Sequence, residues 1–177
     1  NAATCLEISA QTSNDVDMMR INSSGNMGLG VTPEAWHSSY VGFQVGISTS
    51  LMANTSAAGN ITWFGNNFYY DGTRKYINTD EATVYEQGEG IHQFNVAASG
   101  SADAAITWTT AMTIANNANV GIGDVTPTTA KLSIDGVLAG DVGLQIVNAQ
   151  ATTGLKIDQN GNGIALYIDS EASEYCR

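Results

Sequence analysis

A short apolar repeat in the last third of the chain constrains the fold more than any other feature. Two apolar residues, separated by one position, recur every 11 or 12 residues as Val120/Ile122, Leu132/Ile134, Leu144/Ile146, Leu155/Ile157 and Leu166/Ile168. Because side chains alternate between the faces of a strand, each pair predicts a short strand with one apolar edge, followed by a polar turn. A hairpin of such strands is marginal in water. We therefore expect a thin fibre in which three chains bury these pairs around a common axis.

A longer repeat brackets the middle of the chain. Residues 19–30 reappear as residues 112–123 with Met, Ile, Asn and two Gly in matching places, and a Thr-Pro pair follows each copy. Each copy predicts a strand, a polar turn and a second strand with Gly at alternate positions. One face of that second strand then lacks side chains, so we expect a neighbouring chain to approach closely there.

The composition favours an all-β fold. Gly is frequent at 19 residues, charged residues make up only 13%, and Lys plus Arg number 6, whereas long helices are usually rich in Glu, Lys, Leu and Arg. The block between the two copies holds all three Trp residues. We predict a trimeric fibrous β shaft interrupted by a compact β domain, divided as an N-terminal shaft segment 1–33, a β knob 34–110, a shaft segment 111–136 and C-terminal shaft repeats 137–177.

The charge of the chain limits its partners. The formal net charge is −11, and only Arg74 and Lys75 form an adjacent basic pair. Nucleic acid requires clustered Lys and Arg, and anionic membranes repel an acidic protein. No run of about eighteen apolar residues predicts a membrane span. Cys5 and Cys176 lie near opposite ends, and both interpretations, two unrelated thiols or an end-to-end disulfide, stay open.

Several motifs resemble those of bacteriophage tail fibre and tail spike proteins. The run Met112-Thr113-Ile114, Gly121-Ile122-Gly123, Thr126-Pro127 and Lys131-Leu132 is similar to an element common in those fibres. Residues 68–72 and 101–108 look like a module found beside that element, and residues 154–169 look like shaft repeats. The resemblance implies a homotrimer in the virion, outside the cell. Its partners would be other tail or baseplate proteins and a host surface glycan or protein.

The resemblance implies a structural role in host attachment, without catalysis or a cofactor. Two alternatives stay open: a polysaccharide depolymerase segment of a tail spike, and an extracellular filament or adhesin that is not viral. The acidic stretch Asp80, Glu81, Glu86 and Glu89 could supply the carboxylate pair of a glycosidase, although a solvated acidic loop is the interpretation we favour.

Two weaker site hypotheses come from local patterns. Asp158, Asn160, Asn162 and Asp169 have the spacing of oxygen ligands in a calcium loop, but Asn-Gly pairs are also ordinary turn residues, which we favour here. Aromatic rings in the middle block could stack on sugar rings if they are exposed, or form the core or the subunit interface, which is more common. These ring candidates are Trp63, Tyr69, Tyr70 and Tyr76.

Replacing Leu155 or Leu166 by Asp should disrupt trimer formation. Each chain would place a charge at the shared apolar face, three at one level, and an unpaired buried charge costs several kcal/mol. The measurement is the oligomer mass together with the melting temperature. A variant that assembles with an unchanged melting temperature would place these leucines away from the axis.

Overall fold

The computed structural model is all-β, as the composition predicts, and contains no helix in the residues that it describes. Those residues are 6–9, 17–55, 59–135, 143–147, 155–158, 160–164 and 166. Within them no apolar helix has the length needed to cross a membrane. The chain divides into two compact units, residues 1–139 and residues 140–177.

Thirteen strands are described in the first unit, and eleven of them form one sheet. The strands are β1 (Leu6–Ser9), β2 (Asp17–Ile21), β3 (Met27–Leu29), β4 (Tyr40–Val45), β5 (Thr49–Asn54), β6 (Ile61–Asn66), β7 (Tyr69–Tyr70), β8 (Arg74–Lys75), β9 (Asp80–Gly88), β10 (Ile91–Gly100), β11 (Thr109–Ile114), β12 (Val120–Ile122) and β13 (Leu132–Ile134). The sheet follows chain order, except that β7 and β8 form a separate small ribbon. Neighbours are antiparallel apart from the parallel pairs β3–β4 and β12–β13.

The long sequence repeat is also a structural repeat. In the first copy Met19 lies opposite Leu29 on the β2–β3 hairpin, and in the second copy Met112 lies opposite Ile122 on the β11–β12 hairpin. Both hairpins are followed by a parallel strand, β4 or β13. The polar turn inside each hairpin is closed by matching backbone hydrogen bonds of 2.9–3.0 Å. The predicted strand, turn and strand of each copy are therefore confirmed.

The glycine-lined face of these hairpins is covered by the chain itself. A side chain at Gly28 would collide with the carbonyl oxygen of Val31, and one at Gly121 would collide with that of Asp124. Our expectation that a neighbouring chain approaches here is wrong. The segment that leads to the parallel strand folds back over the glycine and occupies the space.

The core lies between one face of the sheet and the segments that cover it. Phe68, Tyr76 and Ile106 belong to these covering segments and are 0%, 5% and 9% exposed. They pack with sheet residues that include Met52 and Trp63. Sheet glycines make room for this layer, since a side chain at Gly65 or Gly100 would collide with Phe68 or Tyr76 respectively. The layer is fixed to the sheet by hydrogen bonds such as that from the Ser50 hydroxyl to the Phe68 carbonyl, 2.7 Å.

The sheet runs through the predicted knob and both flanking copies. Residues 34–110 supply β4, β5, β6, β9 and β10 of the sheet, which lie between the hairpin of the first copy and that of the second. Strand β11 (Thr109–Ile114) itself spans the predicted boundary between residues 110 and 111. The middle block and the two copies thus share one layer of backbone hydrogen bonds.

The described part of the second unit differs from the predicted strands. The first two apolar pairs are confirmed as β12 and β13, but residues 144–147 and 155–158 lie outside any strand. Leu144 and Leu155 are 66% and 63% exposed. A strand needs a neighbour for its N–H and C=O groups, and in the single chain these described segments are not paired. Ile168, the last residue of the predicted series, lies outside the described residues.

Ala118 is a strained position that the repeat itself identifies. Its φ is +61°, while Gly25 has φ +81° at the equivalent position of the first copy. Left-handed backbone costs a residue with a Cβ about 1–2 kcal/mol. Since glycine also loses more entropy on folding, Ala118→Gly should stabilise the protein by roughly 0.5–1 kcal/mol.

The reverse change at the equivalent position is the matched control. Gly25→Ala should destabilise the protein by about 1 kcal/mol, and urea denaturation measures both effects. Destabilisation by both substitutions would show that the two turns are not equivalent.

Candidate assembly interface

One face of the eleven-stranded sheet carries an unbroken line of apolar residues. Each strand contributes one residue, and each residue lies directly opposite the next in the backbone register. We call this line the apolar ladder: Leu6, Ile21, Met27, Phe43, Leu51, Phe64, Tyr85, Phe94, Met112, Ile122 and Ile134. Cross-strand apolar pairs of this kind stabilise a sheet, and here they continue across its whole width.

The ladder is on the open face of the sheet. Strand β6 shows the contrast, because Trp63 on the covered face is 3% exposed and the adjacent Phe64 is 50% exposed. Phe94 is 43% exposed, and at the far end of the ladder Ile134 is 38% exposed. A row of large apolar side chains in contact with water is what a protein usually covers with a partner.

The ladder is bordered by uncharged residues on both sides. One flanking row consists of Ile8, Met19, Leu29, Val45, Thr49, Asn66, Thr83 and Val96. The other consists of Val41, Ala53, Thr62, Gln87, His92, Ile114, Val120 and Leu132. These three rows contain no Asp, Glu, Lys or Arg, although the chain has 17 acidic residues. With strands about 4.8 Å apart and rows about 7 Å apart, the band covers roughly 700 Å².

Three aromatic rings form the middle of the ladder. Phe64 and Tyr85 have ring centroids 6.3 Å apart at 25°, and Tyr85 and Phe94 lie 4.8 Å apart at 17°. We call these three residues the aromatic platform. The Tyr85 hydroxyl is 2.6 Å from His92 Nδ1, and the His92 ring stacks beside the phenol at 6.0 Å. The platform therefore has its polar atom paired within the chain.

The aromatic residues predicted to contact a glycan lie mainly in the core. Trp63, Tyr69 and Tyr76 are 3%, 4% and 5% exposed, and Tyr70 is half-buried. Their polar atoms are used internally, since Trp63 Nε1 donates to Glu86 at 2.7 Å and the Tyr76 hydroxyl donates to the carbonyl of Ala98 at 2.6 Å. Buried rings offer no face to a sugar.

The acidic stretch lies in strand β9 and the turn after it, rather than in the solvated loop that we favoured. The two carboxyl groups in contact are those of the chain neighbours Asp80 and Glu81 at the start of the strand. Glu86 lies on the covered side of β9, where its carboxylate accepts from Arg74 at 2.9 Å as well as from Trp63. Asp80 is at the other end of the same strand, six residues away, which is about 20 Å in extended backbone. Glu89 belongs to the turn after β9, at φ +52°. Glu86 thus serves to pair buried polar groups.

The calcium candidates are only partly described. Asp158 forms an ion pair with Lys156 at 3.0 Å, and Asn160 and Asn162 are exposed. Asp169 lies outside the described residues. Across the part of the chain that the structure describes, no group of three His, Cys, Asp or Glu side chains is placed to hold a metal ion.

Comparison with known proteins adds no functional assignment. No protein-family model matches the chain, and no curated protein matches it significantly. The resemblance to phage fibres stays a prediction.

A carboxylate lies beside an acidic neighbour at the edge of the covered layer. Burial, together with the negative charge of Asp103, raises the pKa of Glu34. Asp103 in turn accepts a hydrogen bond of 2.7 Å from the Tyr69 hydroxyl. An acid whose pKa is raised by folding binds protons more tightly in the folded state, so stability falls as the pH rises through its titration range.

Glu34→Gln should therefore raise the melting temperature at pH 7, and the gain should shrink as the pH falls and the Glu34 carboxyl is protonated in the wild type. Thermal unfolding across the pH range measures this. Glu81→Gln, at an exposed position, controls for the loss of one charge from an acidic chain. An equal gain from both variants would mean that net charge alone is responsible.

Proposed function

We propose that this chain is a structural segment of a bacteriophage tail fibre or tail spike. It assembles as a parallel homotrimer through the open face of its sheet and supports attachment to the host receptor, without catalysis. The observation that carries the proposal is the apolar ladder, in which every strand of the sheet places one large side chain on the open face, five of them exposed and six half-buried.

The size of the uncharged band suits association between subunits. Stable interfaces bury about 800 Å² on each partner. The band of three rows has a flat area of roughly 700 Å², and its accessible area is larger because side chains protrude from it. Burying apolar surface contributes about 25 cal/mol per Å². Only part of this appears as affinity, because association restricts motion and desolvates polar groups.

The C-terminal segments support the same proposal. Leu144, Ile146 and Val147 are 66%, 48% and 79% exposed, and Leu155 and Leu166 are similarly exposed at 63% and 62%. Short apolar segments at steps of 11 or 12 residues gain little from folding alone. Three chains that run in parallel would present the same leucines at the same level and could bury them together.

The charge distribution suits a fibre in a virion. The described rows of the uncharged band contain none of the chain's 17 acidic residues, so a trimer that buries the band would keep a strongly negative outer surface. Such a surface keeps long assemblies soluble and apart. Host contact is expected within residues 34–110, where the Trp residues and most Tyr residues of the chain are found.

The purified chain should have three times its 18.5 kDa mass in solution and should resist mild SDS without heating. Light scattering gives the mass, and gel electrophoresis with and without boiling gives the resistance. A folded monomer that persists at micromolar concentration would contradict the proposal.

Substituting a charge in the ladder tests the face directly. Leu51→Asp, on the open face of β5, should prevent assembly, because a buried unpaired charge costs several kcal/mol. Ala98→Asp places the same charge on the exposed part of β10 outside the uncharged band and is the matched control. Equal effects of the two variants on oligomer mass would indicate that another surface mediates assembly.

A further inference from the structure

The aromatic platform differs from the rest of the ladder in position, rigidity and surroundings. We infer that Phe64, Tyr85 and Phe94 form the energetic centre of self-association and are buried there against a second copy of this chain. The inference rests on the proposed assembly through the open face. It adds that the binding energy is concentrated on three rungs of the ladder.

The platform is central in the interface. Its residues belong to β6, β9 and β10, which are the sixth, seventh and eighth strands of the eleven in sheet order. In protein interfaces a few residues near the geometric centre carry most of the energy, because surrounding contacts exclude water from them. Here five rungs on one side and three on the other would form that surround.

The platform is also arranged for burial before a partner arrives. The three rings are stacked, so little side-chain freedom remains to be lost on binding. Tyr85 could be costly to bury because of its hydroxyl, but that oxygen lies 2.6 Å from His92 Nδ1. A paired hydroxyl avoids most of the desolvation penalty that an unpaired one would suffer.

A groove next to the platform provides space for side chains of the partner. It has a volume of about 390 Å³ and is bordered by Phe43, Val45, Leu51, Phe64 and Thr83. Protruding Phe residues on one subunit and an apolar groove beside them give a self-complementary surface. In a cyclic trimer the rings of each subunit can then enter the groove of the next, which is the heterologous contact that closes a ring of three.

Charge favours a second copy as the occupant. An acidic or basic partner would find no charged residue to pair with in the three described rows of the band. Two copies with a net charge of −11 repel each other elsewhere on their surfaces. Their uncharged bands are where that repulsion is smallest, and the band is about as large as a stable interface requires.

The test compares alanine substitutions at the platform with substitutions toward the ends of the ladder. Phe64→Ala and Phe94→Ala should each raise the protein concentration at half-assembly at least 30-fold, as measured by analytical ultracentrifugation. Met27→Ala and Ile122→Ala, on β3 and β12, remove apolar groups from the same face. They should change the concentration at half-assembly less than 5-fold. Circular dichroism establishes that each variant is folded.

The possible results separate the inference from the proposed function. If the wild-type chain is a monomer, the proposed function and the inference are both wrong. If it forms oligomers, but the platform variants and the end variants weaken assembly equally, only the inference is wrong. If Phe64→Ala and Phe94→Ala assemble normally but no longer bind host cells, the platform is a receptor surface and the inference is wrong. If an alanine variant does not fold, Phe64→Leu and Phe94→Leu keep the apolar area without the ring and should still weaken assembly more than the end variants do.

Discussion

The backbone register of the eleven-stranded sheet is the constraint on which the other features depend. Side chains alternate along a strand, so a shift of one residue in any strand would move its ladder residue to the other face. The register instead places an apolar residue on the open face in every strand, from Leu6 to Ile134. The covered face, with Trp63 and Met52, is fixed by the same hydrogen bonds. The core and the candidate interface are therefore two results of one pairing scheme.

The sequence predicted the local structure of both repeat copies, since local signals determine it, whereas the strands predicted at Leu144 and Leu155 are not observed. Matching Met, Ile, Asn and Gly residues identified the two hairpins, and the apolar pair Leu132/Ile134 identified β13. Which face of each strand is buried depends on pairing across the sheet, which a single sequence does not reveal. Trp63 and Phe64 are equally apolar neighbours, yet only Phe64 reaches the open face. The ladder could have been suspected from apolar residues on both faces of β6, but not traced.

At the glycine positions the sequence correctly predicted a bare face, but the predicted occupant of that face, a neighbouring chain, was wrong. Alternate glycines in β3 and β12 do leave one face bare, and something does approach closely. The occupant is the connection to the following parallel strand, which returns over Gly28 and Gly121. A parallel neighbour requires such a crossover, whereas an antiparallel one does not. The parallel pairing thus determines that the chain covers its own glycines and that the opposite face stays open.

Both units have apolar side chains that the single chain leaves exposed. In the first unit the described strands of the sheet pair with one another, apart from the outer edges of β1 and β13, and one apolar face is left uncovered. In the second, the described segments around Leu144 and Leu155 have neither strand partners nor buried side chains. Burial of the first face against other subunits would hold three chains parallel and close together. That proximity would lower the entropic cost of pairing the segments around Leu144 and Leu155 between chains. Association of the folded sheets would therefore promote assembly of the segments that follow them.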